Sequence, residues 1–313
     1  NLCATVPDKL LELPDELVQQ LLSGIEMLLR SGDHVTAEAA ALCIGHVMES
    51  PNATFRLYQS VKHAGDMEEI VNGLTHMMQG SYKVLLEQAT KALQKVFRGQ
   101  HGEALLARFI VPLQPQRGGF LGIQQSMEPV IEEHLPANLR SLRQNLVAGL
   151  LCALSSDNPA VAGGAAEILC VWIGVPEPGW SRILIQEQTI IIRILSGLTH
   201  LMHCHDAGAR RNAAIVLHCF ALDEKGVAYL SLMDPADLRF FLGGLRNLSQ
   251  TSADDATAEL CGRTLRELED YGPPCWRRWI TAITVDAPIV TYPQWENPQH
   301  TRDTLSYNNP YRT

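Results

Sequence analysis

A short segment that recurs five times is the feature that most limits how this chain can fold. In each copy a glycine stands between a small or polar residue and a leucine or isoleucine; these glycines are Gly24, Gly73, Gly149, Gly197 and Gly244. Successive glycines are 49, 76, 48 and 47 residues apart, so one interval holds an insertion of roughly 28 residues. Such self-similarity is typical of arrays in which each unit packs on its neighbours.

A second position repeats 17 residues after each glycine, where the residue is always small: Ala41, Thr90, Ala166, Ala214 or Cys261. Each of these residues lies in an apolar stretch with helical spacing. A polar turn such as 31–34 or 155–159 separates it from the glycine segment. The pattern predicts a unit of helix, polar turn and helix, in which small residues let neighbouring helices approach closely.

This unit resembles the armadillo repeat, a three-helix unit. The glycine segment is similar to its second helix and the alanine-rich stretch to its third, while residues 51–59 and 223–230 supply a short first helix. The resemblance implies an all-α, right-handed α-solenoid of about five to six repeats. A two-helix array of the HEAT type is the nearest alternative.

The domain organisation follows from the extent of this pattern. We expect an armadillo-like helical repeat domain over residues 1–270, interrupted by an insertion at 98–142. Four prolines and Gly118-Gly119 break any long helix in the insertion. It is interpreted as a surface loop flanked by short helices, or as an excursion that binds a partner.

Composition changes in residues 271–313, which are predicted to form an extended C-terminal tail rich in proline and aromatic residues. Disordered tails are usually poor in aromatic residues, so these side chains are expected to dock on a surface. Two alternatives stay open: the tail caps its own last repeat, or it binds another protein. The candidate tail residues are Trp276, Trp279, Tyr292, Trp295, Tyr307 and Tyr311.

The armadillo resemblance also implies a peptide-binding groove lined by the third helices. The expected groove residues are Leu42, His46, Lys91, Lys95, Glu167, Val171, Ile215, Cys219, Arg263 and Glu267. The repeated Trp and Asn of nuclear-import receptors are missing at these positions, which argues against that class. Catenin-type proteins have a groove rich in Lys and Arg. In this sequence only Lys91, Lys95 and Arg263 fit that pattern.

Charge and motifs exclude several other classes of function. The net charge of −9 argues against a protein that binds the phosphate backbone of nucleic acids. No apolar run reaches the ~18 residues of a membrane span, and the cysteines form no CxxC pair, which indicates a reducing, cytoplasmic compartment. No catalytic motif occurs, so we expect no enzyme and no cofactor.

One cluster of side chains in the sequence contains potential metal ligands. His200, His203, Cys204 and His205, together with His218 and Cys219, offer ligand types that Zn²⁺ prefers. Several of them fall at the turn between two helices, where the other repeats carry no ligands, so we expect no metal. A metal-dependent protein built on this cluster is a third hypothesis for the function, after the scaffold and the adaptor described below.

The sequence therefore predicts a non-enzymatic intracellular scaffold that binds protein partners through the groove and the tail, within a larger assembly. The specific hypothesis is a structural subunit of a cilium or flagellum axoneme, and hence a cytoskeletal or ciliary location. The alternative is a catenin-like adhesion or signalling adaptor that binds a disordered peptide. Neither nucleic acid nor a membrane span is expected.

Overall fold

In the described residues the chain is built from helices that repeat in groups of two or three. The computed structural model describes residues 12–60, 65–80, 82–110, 137–174 and 188–282. Within those ranges the regular secondary structure is entirely helical. The helices are α1 (Asp15–Leu29), α2 (His34–Glu49), α3 (Pro51–Ser60), α4 (Gly65–Met78), α5 (Lys83–Val96), α6 (Gly99–Ile110), α7 (Ala137–Leu154), α8 (Pro159–Gly174), α9 (Gln188–Leu201), α10 (Ala207–Ala221), α11 (Glu224–Ser231), α12 (Pro235–Thr251), α13 (Asp255–Tyr271) and α14 (Pro274–Ala282).

All the described helices except α14 take one of three roles. The second helices of the repeats are α1, α4, α7, α9 and α12, and the third helices are α2, α5, α8, α10 and α13. Each second helix packs on the second helix of the next repeat, and each third helix does the same. Short first helices, α3, α6 and α11, precede three of the repeats. The three-helix unit is therefore confirmed over the two-helix alternative.

The polar turns predicted between the second and third helices contain the residues that cap the N-termini of the third helices. The Asp33 carboxylate accepts a hydrogen bond from the Thr36 backbone N–H, and Asp206 accepts one from Ala209 at 2.6 Å. Asp254 and Asn158 cap α13 and α8 in the same way. These side chains satisfy N–H groups that a helix leaves unpaired at its first turn.

Small residues lie where the third helices touch, as the sequence predicts. A Cβ placed on Gly163 of α8 would come 2.7 Å from the Ala209 Cβ of α10, and one on Gly164 would come 2.9 Å from Thr90 of α5. Ala41, Ala166, Ala214 and Cys261 are all buried. The helices can lie this close because almost no side chain stands between their backbones.

The predicted insertion is only partly a loop. Helix α6 occupies Gly99–Ile110 and supplies the first helix of a repeat, and α7 already starts at Ala137. Residues 111–136, the remainder of the predicted insertion, lie outside the described residues. The four prolines and Gly118-Gly119 all lie after Ile110, so α6 stands where the sequence predicts a short helix beside the loop.

The extended conformation predicted directly after Asp270 is wrong for its first residues. Helix α13 ends at Tyr271, and Pro274 is the first residue of α14. Trp276, Trp279 and Ile280 share one face of α14 because they are three and four residues apart. That face packs against α12 and α13. Residues 283–313, the rest of the predicted tail, lie outside the described residues.

Candidate functional site

The exposed surface of the five third helices, α2, α5, α8, α10 and α13, is a feature that all five repeats share, and we call it the third-helix face. All ten predicted groove residues belong to these helices. Leu42, Lys91 and Arg263 are exposed, and the other seven are half-buried. The ten predicted side chains thus reach the surface, while their role in binding a partner stays a prediction.

The three cations predicted for the groove are paired with carboxylates. Lys91 Nζ lies 2.6 Å from Glu87 Oε1 one turn before it, and Arg263 Nη2 lies 3.0 Å from Glu259 Oε1. Lys95 Nζ lies 2.5 Å from Glu49 Oε1 of the preceding repeat. The three cations expected to mark a basic groove therefore already have anionic neighbours.

Contacts on both sides of α5 join it to the neighbouring repeats. Lys95 bonds to Glu49 of α2 on one side, and the hydrogen bond from Lys95 is the main reason that the pKa of Glu49 is lowered. On the other side Gln94 and Arg98 each donate to the Glu167 carboxylate of α8 at 2.9 Å. Exposed pairs of this kind contribute little to stability, about 0–1 kcal/mol each, but they hold the charges of this face in register.

The centre of the third-helix face is less polar. Val171 of α8 and Ile215 and Cys219 of α10 are half-buried there, beside Cys170. The Cys170 thiol donates to the Asn212 carbonyl at 3.3 Å, and burial raises its pKa to about 12. A thiol with this pKa stays protonated at neutral pH and acts as a small apolar group rather than a nucleophile.

Two histidines of the candidate metal cluster, His203 and His218, pack against other side chains of the fold. The His203 ring stacks on Phe240 at 3.8 Å between centroids, and its Nε2 donates to the Phe240 carbonyl. His218 Nδ1 lies 2.9 Å from the Thr264 hydroxyl across α10 and α13. Burial lowers the pKa of both rings. In the part of the chain that the structure describes, no three His, Cys, Asp or Glu residues are placed to hold a metal ion.

The aromatic residues proposed as tail anchors divide into two groups. Trp276 is only 2% exposed and packs within the chain. Trp279 is half-buried, and the Arg239 guanidinium carbon lies 4.9 Å from its ring centroid. Tyr292, Trp295, Tyr307 and Tyr311 lie outside the described residues. The placement of Trp276 is the one expected of a cap on the last repeat.

Sequence reasoning missed the partners of the groove cations. Glu87 and Glu259 stand four residues before Lys91 and Arg263, so helical spacing alone could have identified them. Glu49 precedes Lys95 by 46 residues and becomes visible only when one repeat is laid on the next. The insertion separates Gln94 and Arg98 from their partner Glu167 still further along the sequence.

The three-helix unit, its stacking in two layers and the first helices that precede it define an α-solenoid of the armadillo type. Among solved structures, the chain is similar to a computationally designed armadillo repeat protein for modular peptide recognition, with a TM-score of 0.51, 14% identity and coverage of 84% of this chain and 92% of that one. A designed armadillo repeat protein in complex with the peptide (KR)4 has a TM-score of 0.50 and 14% identity, with coverage of 83% of this chain and 89% of that one. An engineered protein has a TM-score of 0.51 and 15% identity, with coverage of 84% of this chain and 86% of that one.

These identities establish the fold alone, and they confirm the armadillo-like repeat predicted from the sequence. No family model matches the chain, and no curated protein matches it. Among the described residues, none of the helices combines the length and apolar character required to cross a bilayer.

Proposed function

We propose that this protein is a non-enzymatic scaffold that binds an extended segment of a partner protein along the third-helix face. The observation that supports this most directly is the continuity of that face. Five third helices stand side by side, and each presents partly exposed side chains at the predicted positions. An extended chain can contact such a row of helices one after another.

The chemistry of the face favours a partner segment with apolar side chains at its centre. Val171, Ile215 and Cys219 offer apolar contacts, whereas Lys91, Lys95 and Arg263 are already neutralised by their carboxylate neighbours. The designed relative solved with (KR)4 binds a strongly basic peptide. The paired charges here give no comparable excess of either sign, so we expect binding that depends weakly on salt.

The experiment is a selection of peptide ligands from a random library displayed on phage, using the full chain as bait. We expect selected peptides to lose at least tenfold in affinity with Ile215→Arg, because a charge replaces the apolar centre of the face. Gln250→Arg, at an exposed position of α12, is the matched control and should keep the affinity. Equal loss in both variants, or in neither, would contradict the proposed binding face.

The catenin-like alternative makes a different prediction in the same experiment. It expects acidic peptides whose binding is lost on charge reversal at Lys91 and Lys95. The pairing of Lys95 with Glu49 weighs against it, since an acidic ligand must displace a carboxylate already in place. Selection of acidic peptides that fail to bind Lys91→Glu would favour the catenin-like adaptor.

The finer assignment is a cytoplasmic structural subunit of a larger assembly, with a ciliary or flagellar axoneme as the specific hypothesis. This assignment is supported by the aromatic and proline-rich composition of residues 283–313. Trp276 is buried within the chain, so only that later part of the tail is available to a partner. The test is crosslinking mass spectrometry from native cells with the full chain and a chain ending at Ala282. Loss of axonemal partners on truncation is expected, and unchanged partners would refute this assignment.

A further inference from the structure

All four joints between successive repeats share one apolar contact. At each joint a leucine or methionine of one repeat meets the glycine in the second helix of the next repeat. From a Cβ built on the glycine, the distances are 2.9 Å from Gly73 to Leu29 Cβ, 3.2 Å from Gly149 to Met78 Cβ, 3.1 Å from Gly197 to Leu154 Cβ and 3.0 Å from Gly244 to Met202 Cε. These side chains do not titrate, so pH does not act directly on this contact.

The joint between the fourth and fifth repeats also has a histidine in each of its two stacking layers. The fourth repeat contains α9 and α10, and the fifth contains α12 and α13. In the second-helix layer His203, in the turn after α9, contacts Phe240 of α12. In the third-helix layer His218 of α10 contacts Thr264 of α13. Histidine is the side chain whose charge ordinarily changes between pH 5 and 8.

His203 is held against α12 by its ring and by one hydrogen bond. The ring stacks on Phe240, and its Nε2 lies 3.2 Å from the Phe240 carbonyl oxygen. A carbonyl only accepts, so Nε2 carries the proton and Nδ1 is left to take up a second one. The same Nε2 lies 2.8 Å from a Cβ built on Gly244, so the ring occupies the space that this glycine leaves. On the α10 side, Arg210 donates to the carbonyl of Cys204, the residue after His203.

His218 is buried between α10 and α13, with its Nδ1 2.9 Å from the Thr264 hydroxyl oxygen. That hydroxyl donates to the Leu260 carbonyl at 2.8 Å. It therefore accepts from Nδ1–H, and Nε2 is left to take up a second proton. Two charged groups of α13 act on the ring in opposite directions: Arg263 lowers the pKa of His218 and Glu267 raises it, and burial lowers the pKa more than either.

Burial disfavours the charged form of the ring in the second-helix layer as well. It is the largest influence on the pKa of His203 and lowers it. The contact with the Phe240 carbonyl raises this pKa, whereas the neighbouring His200 lowers it further. Asp237 of α12 acts on His200, whose pKa burial also lowers. A proton added to either layer thus places a positive charge where the packed joint disfavours it.

The polar contacts of the other joints have different chemistry. At the third joint the Cys170 thiol donates to the Asn212 carbonyl and stays protonated near neutral pH. At the first joint the His34 ring lies 3.7 Å from that of Tyr82, but His34 is exposed, so water can solvate its charge. The first two joints also have ion pairs at the surface, whose charges stay the same between pH 5 and 8. These pairs are Lys95–Glu49, Arg30–Glu69, Lys83–Asp157 and Arg98–Glu167.

We propose that the joint between the fourth and fifth repeats is a pH-sensitive hinge, which opens when His203 and His218 take up protons. Moving α12 and α13 away from α9 and α10 lets water reach both charged rings. Helix α14 packs on α12 and α13 and moves with them. Because a repeat contacts mainly its neighbours, this end can open while the earlier repeats stay packed. The joint is closed above the ordinary histidine pKa of about 6.5 and opens as the pH falls below it.

The opening has a consequence for the third-helix face. Helix α13 is the last of the five helices of that face, so an open joint leaves a continuous row of only four. A partner segment that contacts all five helices would be released as the pH falls. This consequence rests on the function proposed above, whereas the hinge itself does not.

The test is hydrogen exchange of the full chain without a ligand at pH 7.5, 6.5 and 5.5. Each amide rate is divided by the intrinsic rate of that amide at the same pH. We expect the protection of α12, α13 and α14 to fall at least tenfold between pH 7.5 and 5.5, since each proton taken up on opening gives a factor of ten per pH unit. Protection of α4 and α5 should change less than twofold. An equal decline in all helices would overturn the proposal.

A double variant identifies the groups that respond. His203→Gln with His218→Gln keeps a side-chain N–H donor at each position but cannot take up a proton, so the protection of α12 and α13 should become independent of pH. The matched control replaces the exposed His76 and His205 with glutamine and should keep the decline of the native sequence. A decline that persists in the double variant would overturn the proposal.

A second measurement needs no substitution. In the full chain labelled with ¹³C at histidine, the NMR signals of His203 and His218 should titrate at lower pH than those of the exposed His76 and His205. Titration of all four together would show that the closed joint does not resist the charge, and would overturn the hinge.

Binding separates the hinge from the function proposed for the third-helix face. A peptide selected on that face at pH 7.5 should bind the native chain at least tenfold more weakly at pH 5.5, and the double variant equally at both. If no peptide binds at either pH, the proposed binding face fails, while the exchange experiment still decides the hinge.

Discussion

Leu29, the last residue of α1, packs so closely on Gly73 of α4 that a Cβ added to Gly73 would lie 2.9 Å from the Leu29 Cβ. Real Cβ atoms essentially never approach each other to this distance. Because both atoms belong to the rigid start of a side chain, neither can move away by changing a rotamer. The joint between the first two repeats therefore depends on the glycine itself.

The first prediction compares two alanine substitutions at equivalent positions. Gly73→Ala should destabilise the protein by about 1–3 kcal/mol, the usual cost of overpacking. Gly24→Ala should stabilise it by about 0.5–1 kcal/mol, since alanine favours helix and Gly24 has no described neighbour in the way. Urea unfolding measures both. Equal effects of the two substitutions would show that the recess at Gly73 is not required.

The second prediction concerns the ion pair that links α2 to α5. A double-mutant cycle with Glu49→Gln and Lys95→Met should give a coupling of up to about 1 kcal/mol at low salt. The value should fall as salt is added, because both side chains remain partly exposed. The pair Glu87–Lys91, which lies within one helix, provides a control whose loss should not loosen the joint between repeats. A coupling of zero at low salt would contradict the pairing.

The third prediction is that stability decreases as the pH falls from 7.5 to 5.5. Burial lowers the pKa of His200, His203 and His218 in the folded chain, so the unfolded chain takes up protons first. The contribution of these histidines to the free energy of unfolding is therefore fully present above the ordinary histidine pKa of about 6.5. It is lost as the pH falls from there toward the lowered pKa of the folded state. Thermal unfolding across this range measures it.

A triple variant supplies the control for this pH dependence. Replacing His200, His203 and His218 with glutamine should flatten the decline in the unfolding midpoint between pH 7.5 and 5.5. Replacing the exposed His76 and His205 should leave it as it is in the native sequence. An unchanged decline in the triple variant would mean that other groups cause it.

The fourth prediction tests the closure of the C-terminal end. Trp276→Ala should cost about 3–5 kcal/mol, as removal of a fully buried large aromatic side chain does. Because repeats couple mainly to their neighbours, hydrogen exchange should accelerate in α12, α13 and α14 before it does in α1 and α2. Tyr271→Ala, at an exposed residue, should change little. Uniform acceleration over the whole chain would contradict this local role.

The repeated architecture was readable because its signals are periodic. Gly24 and Ala41, with their equivalents, recur at one spacing. A small residue is required at the four later glycines, which meet the preceding repeat, and at the positions equivalent to Ala41, which are buried. Helix α14 was missed because the proline and aromatic content of residues 271–313 was taken to indicate one extended tail, although proline is well tolerated at the start of a helix. The face of Trp276, Trp279 and Ile280 was the available signal for that helix.

The electrostatics of the third-helix face could not be read in the same way. Lys95 and Arg263 were predicted as groove cations from their position in the repeat, but each is paired with a carboxylate, that of Glu49 or of Glu259. A residue's repeat position fixes which surface it reaches, whereas its partner depends on side-chain length and on the neighbouring repeat. The predictions for binding residues therefore stay predictions until a ligand is tested.

The contact of Leu29 with Gly73 also has a consequence for sequence divergence. The volume available at one repeat's glycine is set by a residue 42 to 44 positions earlier at three of the four joints. A larger residue at the glycine is tolerable only if the earlier one shrinks, so the two positions should vary together among homologues. Pairs of positions with that separation, and 71 across the insertion, should give the strongest covariation signals.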